Sequence, residues 1–542
     1  MAATEANVRR WDGWAQVGVA SSVPAEALRL LANAIGPGRP QPDARFEDVV
    51  AGVHPSRLEG LPGVSTEPAD RVRHARGQSL PDWIALRSGR LGWLPDAVAR
   101  PATDEDVRAV LAAAHRSDTI VIPYGGGTSV VGGVTPPPTD ARAAITLATE
   151  ALAGLRALDE ASGLATFGAG TLGPDLEAAL APHGLTRGHF PQSWERSTAG
   201  GWVATRSAGQ QSIGFGRIED LFAGGRIVAP AGTLEMSPFP ASAAGPDLRH
   251  LVLGSEGRFG VVTEAILRAV PRPPHEAIPA WVLPDWPRAM TAAREIARAG
   301  IPLSMVRVST PAETESLLAL GGRPGRVRAL RAWLRVRGVG PEPSLILAAA
   351  SGTEKLVELA VREVGTIVRR HRGTGVGGSL GRQWLRTRFR APDLRDALWD
   401  AGYAVDTLET AADWSRIGDL ADSVERALAR GLEADGERVH VFSHLSHVYP
   451  SGSSLYVTYV FRLTDDPDAT LDRWRRLKEA ASEAIVQGGG TISHQHGVGR
   501  DHAPYLAAEK DPLGMAILAD IARRFDPDRR MNPGALLEEV ET

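Results

Sequence analysis

Apolar residues change period repeatedly along this chain, and the changes mark its elements. Val107, Val110, Leu111 and Ala114 fall at i, i+3, i+4 and i+7, one face of a helix. Thr103 is its expected N-cap, with Asp106 closing a capping box and acids filling the first turn. A β-branched strand, Thr119–Ile122, follows. After a break at Pro136–Pro138 come a strand at Ala144–Leu147 and a hairpin through Asp159–Gly163 into Leu164–Phe167. A helix at Pro174–Leu180 then ends at Gly184. Beyond Pro271-Arg-Pro-Pro274, Trp281–Val282, a helix at Pro287–Ala299 and Ser304–Val308 read β-α-β. Ser344–Ala350 and a helix over Glu354–Arg370 repeat the unit. The expectation is an α+β domain with helices on one face of an antiparallel sheet. Near the end, His440–His447 precedes an alternating strand that ends at Phe461. Helices at Leu471–Val486 and Gly514–Phe525 then flank a loop rich in glycine and histidine.

These changes divide 542 residues into four parts. Residues 1–90 form an N-terminal helical and irregular extension. It has a helical patch at Ala25–Ile35, tryptophan anchors (Trp11, Trp14, Trp83, with Trp93 just beyond) and no visible chemistry. Residues 91–272 form a ligand-binding domain, residues 273–480 a cap, and residues 481–542 a C-terminal loop and helical segment. That length exceeds a single core.

Composition mostly removes options. There is no cysteine, so disulfides and thiolate chemistry are excluded, and redox work needs a bound cofactor. A net charge of −4 argues against a nucleic-acid partner. Only three of the 60 basic residues are lysines (Lys355, Lys478, Lys510). The arginine-dense Arg323–Arg337 therefore reads first as a solvated helix or loop. No run approaches the ~18 apolar residues that cross a bilayer. Arg9-Arg10 is followed by Trp11-Asp-Gly-Trp14 rather than by a signal sequence. A cytoplasmic protein is the default expectation, with peripheral membrane contact and a homodimer left open.

Candidate chemistry starts at Ile122-Pro-Tyr-Gly-Gly-Gly-Thr-Ser129. Consecutive glycines after a strand let backbone N–H groups approach an anion such as a pyrophosphate. The loop does not open a helix in the G-x-G-x-x-G manner, which disfavours a Rossmann fold. Two further segments, Pro191–Gly209 and Leu253–Glu264, set small residues and hydroxyls beside strand formers. Three such segments suit one extended ligand.

Together they resemble the flavin-binding domain of the vanillyl-alcohol oxidase / p-cresol methylhydroxylase superfamily, from about Leu94 to Val270. That resemblance implies a two-subdomain FAD-binding domain under an α+β cap. The FAD contacts it implies are Pro123, Tyr124, Gly125, Gly126, Gly127, Thr128 and Ser129 on the first segment. On the second they are Pro191, Ser193, Ser197, Thr198, Gly200, Gly201, Ala204, Thr205, Arg206 and Ser207, and on the third Glu256, Gly257, Phe259, Gly260, Val261 and Val262. The glycine loop has no His or Cys for a covalent flavin link, so a non-covalent FAD is expected.

His494 and His496 stand two apart in a glycine-flanked loop and face one side if it is extended. Such a pair can bind metal, relay protons, contact a flavin or simply be structural. His440, His444 and His447 raise the same question.

Ser493-His-Gln-His-Gly-Val-Gly499 resembles the S-H-H-H-G-V-G loop of the alkyldihydroxyacetone-phosphate synthases (alkylglycerone-phosphate synthases), which make ether lipids. Tyr449-Pro-Ser-Gly-Ser-Ser-Leu-Tyr456 resembles their Y-x-x-G-x-x-x-Y strand. The match covers roughly residues 80–540. It implies Tyr456 as proton acceptor, assisted by His494, His496 or an arginine. Gln495 stands in place of the middle histidine, where it can hydrogen-bond but cannot titrate. Arg395 would bind the substrate phosphate and Arg307 would order the site. The reaction so implied exchanges the acyl chain of acyl-dihydroxyacetone phosphate for a long-chain alcohol, through bonding of substrate carbon to flavin N5. No metal is implied. Related 2-hydroxyacid dehydrogenases hold a metal through a second histidine and a carboxylate, whose places are taken here by Tyr456 and Gln495. An FAD-dependent oxidase or dehydrogenase of a small hydroxy acid or alcohol is the alternative, and a structural flavin-binding remnant is a third reading.

Overall fold

The computed structural model describes residues 9–16, 22–135, 141–321 and 324–538. The proline break at 136–138 lies outside them. Thr103 caps the helix Asp104–Arg116: its hydroxyl accepts from Asp106 N–H (3.1 Å), and the Asp106 carboxylate accepts from Thr103 N–H (3.0 Å). That helix delivers the chain to the strand Ile120–Tyr124, which pairs in parallel with Ala144–Ala148. These two belong to a four-stranded sheet with Ala97–Ala99 and Val64–Ser65. The glycine loop therefore leaves the end of an edge strand. The far C-terminus returns to that edge: Val121 N–H donates to the Arg530 carbonyl, and Asn532 N–H donates to the Val121 carbonyl.

A second, antiparallel sheet runs in the order Leu155–Asp159, Leu164–Gly168, Val261–Arg268, Phe222–Ala229, Gly232–Met236. The third and fifth of these, Val261–Arg268 and Gly232–Met236, flank Phe222–Ala229. The helix Ala199–Thr205 packs on Val261–Arg268.

The cap is built on a large antiparallel sheet. Its order is Thr374–Gly377, Ala280–Leu283, Ser344–Gly352, Met305–Ser309, His440–Val448, Gly452–Arg462, Tyr403–Asp413, with His275–Ala277 also paired to Ser344–Gly352. Helices Trp286–Arg298, Glu354–Arg370 and Ile417–Arg430 cover one face, against Trp281, Val306, Ile346 and Ala348. The expectation of helices on one face only is corrected. Pro311–Gly321, Pro324–Val336 and Ser379–Thr387 pack on part of the other face, against Ala280, Val282, Leu345 and Leu347. The reason is visible in Ser344–Ala350. All seven residues are buried, and a strand apolar on both sides needs two covers. On Pro324–Val336, Leu334 turns inward while Arg326, Arg328, Arg331 and Arg335 are exposed. Among the described residues no helix is long and apolar enough to cross a membrane.

The uncovered part of the second face holds the cap's polar residues. Glu409, Tyr456 and His444 are direct cross-strand neighbours on three adjacent strands, and Ser309 continues the row. Between Leu445 and Val448 the ladder slips by one residue, a β-bulge. Residues three apart in a regular strand face opposite sides. The bulge reverses that parity, so His444 and His447 both meet this face.

Candidate active site

The flavin side is a close-packed cradle. A Cβ on Gly125 would lie 2.4 Å from Thr198 Oγ1, and one on Gly126 would lie 1.6 Å from the Arg196 carbonyl. Gly127 has φ +63°. The loop is thus pressed onto the second glycine segment so tightly that no side chain fits. Among the described residues, the N–H groups of Gly126, Gly127, Thr128 and Ser129 donate to no protein acceptor. A run of unpaired, half-buried N–H groups is what a pyrophosphate requires, so the residues present fit FAD. Tyr124 donates to the Arg76 carbonyl (3.2 Å), and Pro123 touches the position a Gly257 Cβ would take.

Several expected contacts carry structural duties as well. Thr198 caps Ala199–Thr205 by accepting from Gly201 N–H, and Ser197 accepts from the Trp202 indole (2.7 Å). Thr205 donates to the Gly201 carbonyl, and Ser207 meets His189. Gly200 leaves no room beside Ala169, and Arg206 ends the helix in the left-handed region (φ +52°). Phe259 stacks on Phe525, while Val261 and Val262 are core strand residues beside a tight Gly260. Ala204 offers its carbonyl to Glu256 N–H. Pro191 and Ser193 lie in the turn that runs into Ser197, where the Ser193 carbonyl accepts from Arg196 and Ser197 N–H.

Glu256 joins the flavin segments to the histidine loop. Its two carboxylate oxygens accept from Val498 and Gly499 N–H, each at 2.6 Å. Burial pushes this carboxyl up to about 7. Asn532 locks the same corner by donating to the Glu256 and Gly133 carbonyls. Glu256→Ala leaves two buried N–H groups without acceptors. It is expected to destabilise the fold by about 2–4 kcal/mol in urea titrations and to expose the 494–499 loop to proteolysis.

On the cap side, the Tyr456 hydroxyl donates to Gln192 Oε1 (3.2 Å), a residue of the second flavin segment. The Tyr456 ring stacks on His444 (5.0 Å) and meets the edge of His496 (5.7 Å). Burial pushes the phenol up to about 12, with Arg307 acting in the opposite direction. Arg307 reaches Tyr456 only through others. It donates to Glu313 (2.7 Å), and Glu313 also bonds His444 Nδ1 (2.8 Å). Against burial, Arg307 and His444 hold Glu313 down at about 2.

His494 belongs to a separate cluster. Its Nδ1 lies 3.0 Å from Glu409 Oε1, and its Nε2 lies 2.8 Å from the Tyr449 hydroxyl and 2.6 Å from Arg217 Nη1. Arginine has no acceptor, so Nε2 carries the lone pair and the proton sits on Nδ1, donated to Glu409. Burial lowers His494 to about 4, so the ring is neutral at ordinary pH. Although burial opposes it, the two imidazoles hold Glu409 well below the usual carboxylate range. His447 donates from Nε2 to the Gly209 carbonyl (2.9 Å), and its Nδ1 lies 3.0 Å from the Ser446 hydroxyl and 3.5 Å from Glu409. Glu409, His447 and His494 are close enough to surround a metal ion. The Nδ1 proton of His494 and the Arg217 cation beside its ring favour a hydrogen-bonded cluster instead.

The structure thus brings Tyr456 to His496 and keeps His494 away from it. Gln495 is half-buried and has no hydrogen-bond partner among the described residues. His440 is remote, 3.4 Å from Ser316 Oγ. Arg395 is buried over the Trp83 ring (4.6 Å) and donates through Nη1 to the Gln78 carbonyl (2.6 Å). Its Nε and Nη2 have no hydrogen-bond partner, and Asp406 stands 3.8 Å off. Sequence reasoning passed over Glu409, Arg217, Tyr449 and Gln192 as functional groups. A carboxylate in the apolar run Leu408-Glu-Thr-Ala-Ala412 is the signal that marks the first of them.

Residues 95–237 match the FAD binding domain family, and residues 272–536 match the FAD linked oxidases, C-terminal domain. Alkyldihydroxyacetonephosphate synthase of Dictyostelium discoideum is 28% identical over 478 residues, 87% of this chain and 78% of that protein. A solved alkyldihydroxyacetonephosphate synthase superposes with a TM-score of 0.82 at 25% identity, covering 97% of this chain and 98% of the other. Substrate-bound p-cresol methylhydroxylase shares the fold, with a TM-score of 0.67 at 16% identity over 92% and 99% of the two chains.

Proposed function

We propose, from its match to the FAD binding domain family and to the FAD linked oxidases, C-terminal domain, that the chain is an ether-forming transferase. It exchanges the acyl group of acyl-dihydroxyacetone phosphate for a long-chain alcohol without net oxidation. The observation that carries this reading is the position of Tyr456. A half-buried phenol sits at the seam between flavin segment and cap, 3.2 Å from Gln192, with a half-satisfied buried arginine on the cap helix nearby.

FAD, held without a covalent link, supplies an electrophilic ring when bound. The protein does the rest. Tyr456 Oη is placed to receive the proton that the substrate carbon gives up. Because the phenol is raised, it works only when its own proton has first passed to a titratable neighbour; Gln192 orients the hydroxyl but takes no proton, and His496, which meets the Tyr456 ring, is the group able to do so. His494 Nε2 is a lone pair aimed at the Tyr449 hydroxyl, held there by the Nδ1–H bond to Glu409. Glu409, His494 and Tyr449 therefore form a chain along which a proton can be held and returned, with Arg217 steadying any charge on Tyr449. Arg395 offers Nε–H and Nη2–H, the adjacent pair that grips one phosphate side-on. Arg307 orders Glu313 and His444 behind the Tyr456 ring.

The deciding experiment uses the yellow protein under anaerobic conditions. Labelled hexadecanol is expected to enter acyl-dihydroxyacetone phosphate with release of fatty acid and no consumption of an electron acceptor. Bleaching of the flavin by D-lactate or glycolate, with no exchange, would establish the hydroxy-acid oxidoreductase reading instead.

The His494 shift makes a pH prediction. A histidine lowered from 6.5 to about 4 binds protons more readily when unfolded. Its contribution is therefore complete above pH 6.5 and lost as pH falls toward 4. Unfolding free energy is expected to drop by up to about 3 kcal/mol across that window, and His494→Gln is expected to flatten the drop.

A further inference from the structure

The N-terminal segment, in which composition shows no chemistry, touches both halves of the site. Residues 9–16 form a tight turn. Arg10 N–H donates to the Ala15 carbonyl (2.9 Å), and Arg9 and Gln16 pair across the turn. At one end, Arg9 Nη1 donates to the carbonyl of Gly126, the central glycine of the flavin loop (3.1 Å). At the other end, Trp14 and Ala15 N–H both donate to one oxygen of Asp396 (3.0 and 2.9 Å). Asp396 immediately follows Arg395 on the helix Ala391–Asp400.

This junction is built, not incidental. Asp396 is 2% exposed, and its second oxygen accepts from Arg87 Nη2 at 2.6 Å. Arg87 also donates to the Asp12 carbonyl (2.9 Å) and to Asp43 (2.6 Å), so one buried guanidinium fastens the turn and the helix together. Gly13 passes so close that a Cβ there would lie 2.1 Å from Asp396 Oδ1. Trp14 is buried in the main core. A second tie runs parallel to the first. The Gln78 carbonyl accepts from Arg395, while Gln78 N–H donates to the Ser129 carbonyl of the flavin loop (2.6 Å).

We infer that Arg9–Ala15 is a strap that latches the flavin loop and fixes it to the helix bearing Arg395. The N–H groups of Gly126–Ser129 can cradle a pyrophosphate only while the loop keeps its shape. Arg9 holds that shape from the carbonyl side and places a cation beside the anion site. Flavin release therefore requires the strap to let go, and disturbing the Asp396 junction loosens the flavin even though no atom of that junction belongs to the loop. The inference requires that FAD is the cofactor; it does not require the ether-lipid reaction. A protein that keeps FAD but performs no exchange would refute the proposed function and leave the strap open to test.

The test is the rate at which full-length holoprotein releases FAD, followed by the fluorescence of free flavin after dilution. Arg9→Ala is expected to speed release by about tenfold or more, the effect of one charge-assisted hydrogen bond, and Arg9→Lys to restore part of it. Gly13→Ala, remote from the loop, is expected to speed release as well. Thermal unfolding of each apoprotein identifies any variant that is globally unfolded. If Arg9→Ala and Gly13→Ala, both folded, release FAD at the wild-type rate, the strap is only packing and the inference fails.

Discussion

Tyr456→Phe is expected to lower the exchange rate by about 10³-fold while leaving flavin binding intact. The substitution removes one oxygen. The ring keeps its stack on His444 and its edge contact with His496, and the hydroxyl's bonds to Gln192 and Thr407 are lost. The protein should therefore remain yellow, with its unfolding free energy changed by no more than about 1 kcal/mol. Single-turnover exchange of labelled alcohol measures the loss. Tyr449→Phe is the informative companion. Its hydroxyl caps the Glu409–His494 chain rather than facing Gln192, and a fall of about tenfold is expected. Full activity in Tyr456→Phe together with collapse in Tyr449→Phe would move the proton-accepting role to the His494 cluster.

Arg395→Met is expected to raise KM for the phosphate-bearing substrate about 100-fold or more, with a smaller effect on kcat. Nη1 is already committed to the Gln78 carbonyl, so the pair left for substrate is Nε and Nη2. Two charge-assisted bonds to one phosphate account for a loss of that size. Arg395→Lys should recover little, because one ammonium cannot serve the Gln78 carbonyl and grip a phosphate side-on. Inhibition by a dihydroxyacetone phosphate ether analogue reads the same contact without turnover. Equal inhibition of Arg395→Met and wild type would show that the phosphate lies elsewhere.

Local signals proved readable where local physics decides structure. Thr103 and Asp106 cap their helix because both partners lie within one turn, and the glycine loop shows its nature in three consecutive residues. The helices after residue 280 follow their apolar spacing for the same reason. What stayed hidden depends on partners far apart in sequence. Nothing near His494 announces Glu409, 85 residues away, or Arg217, 277 residues away, yet these two determine its tautomer. Facing rules also gave out. His494 and His496 are two apart, but one bonds Glu409 while the other meets Tyr456. The segment around them is irregular rather than extended, pinned from below by Glu256. Glu256, expected at the flavin, also holds through its carboxylate the loop that carries the two histidines.

The bulge at Ser446–His447 sets the chemistry of this cap by counting rather than by composition. Pair Leu445 through Val448 in regular register, without the slip, and the strand regains its parity: His447 turns to the opposite face, while Glu409, Tyr456 and His444 keep their places. The carboxylate would then serve one imidazole instead of two. A one-residue change of register is thus enough to convert this three-member cluster into a two-member one with every side chain of the row unchanged. The register at this point thus bears on the chemistry of the cap as directly as the identity of Glu409 or His494 does.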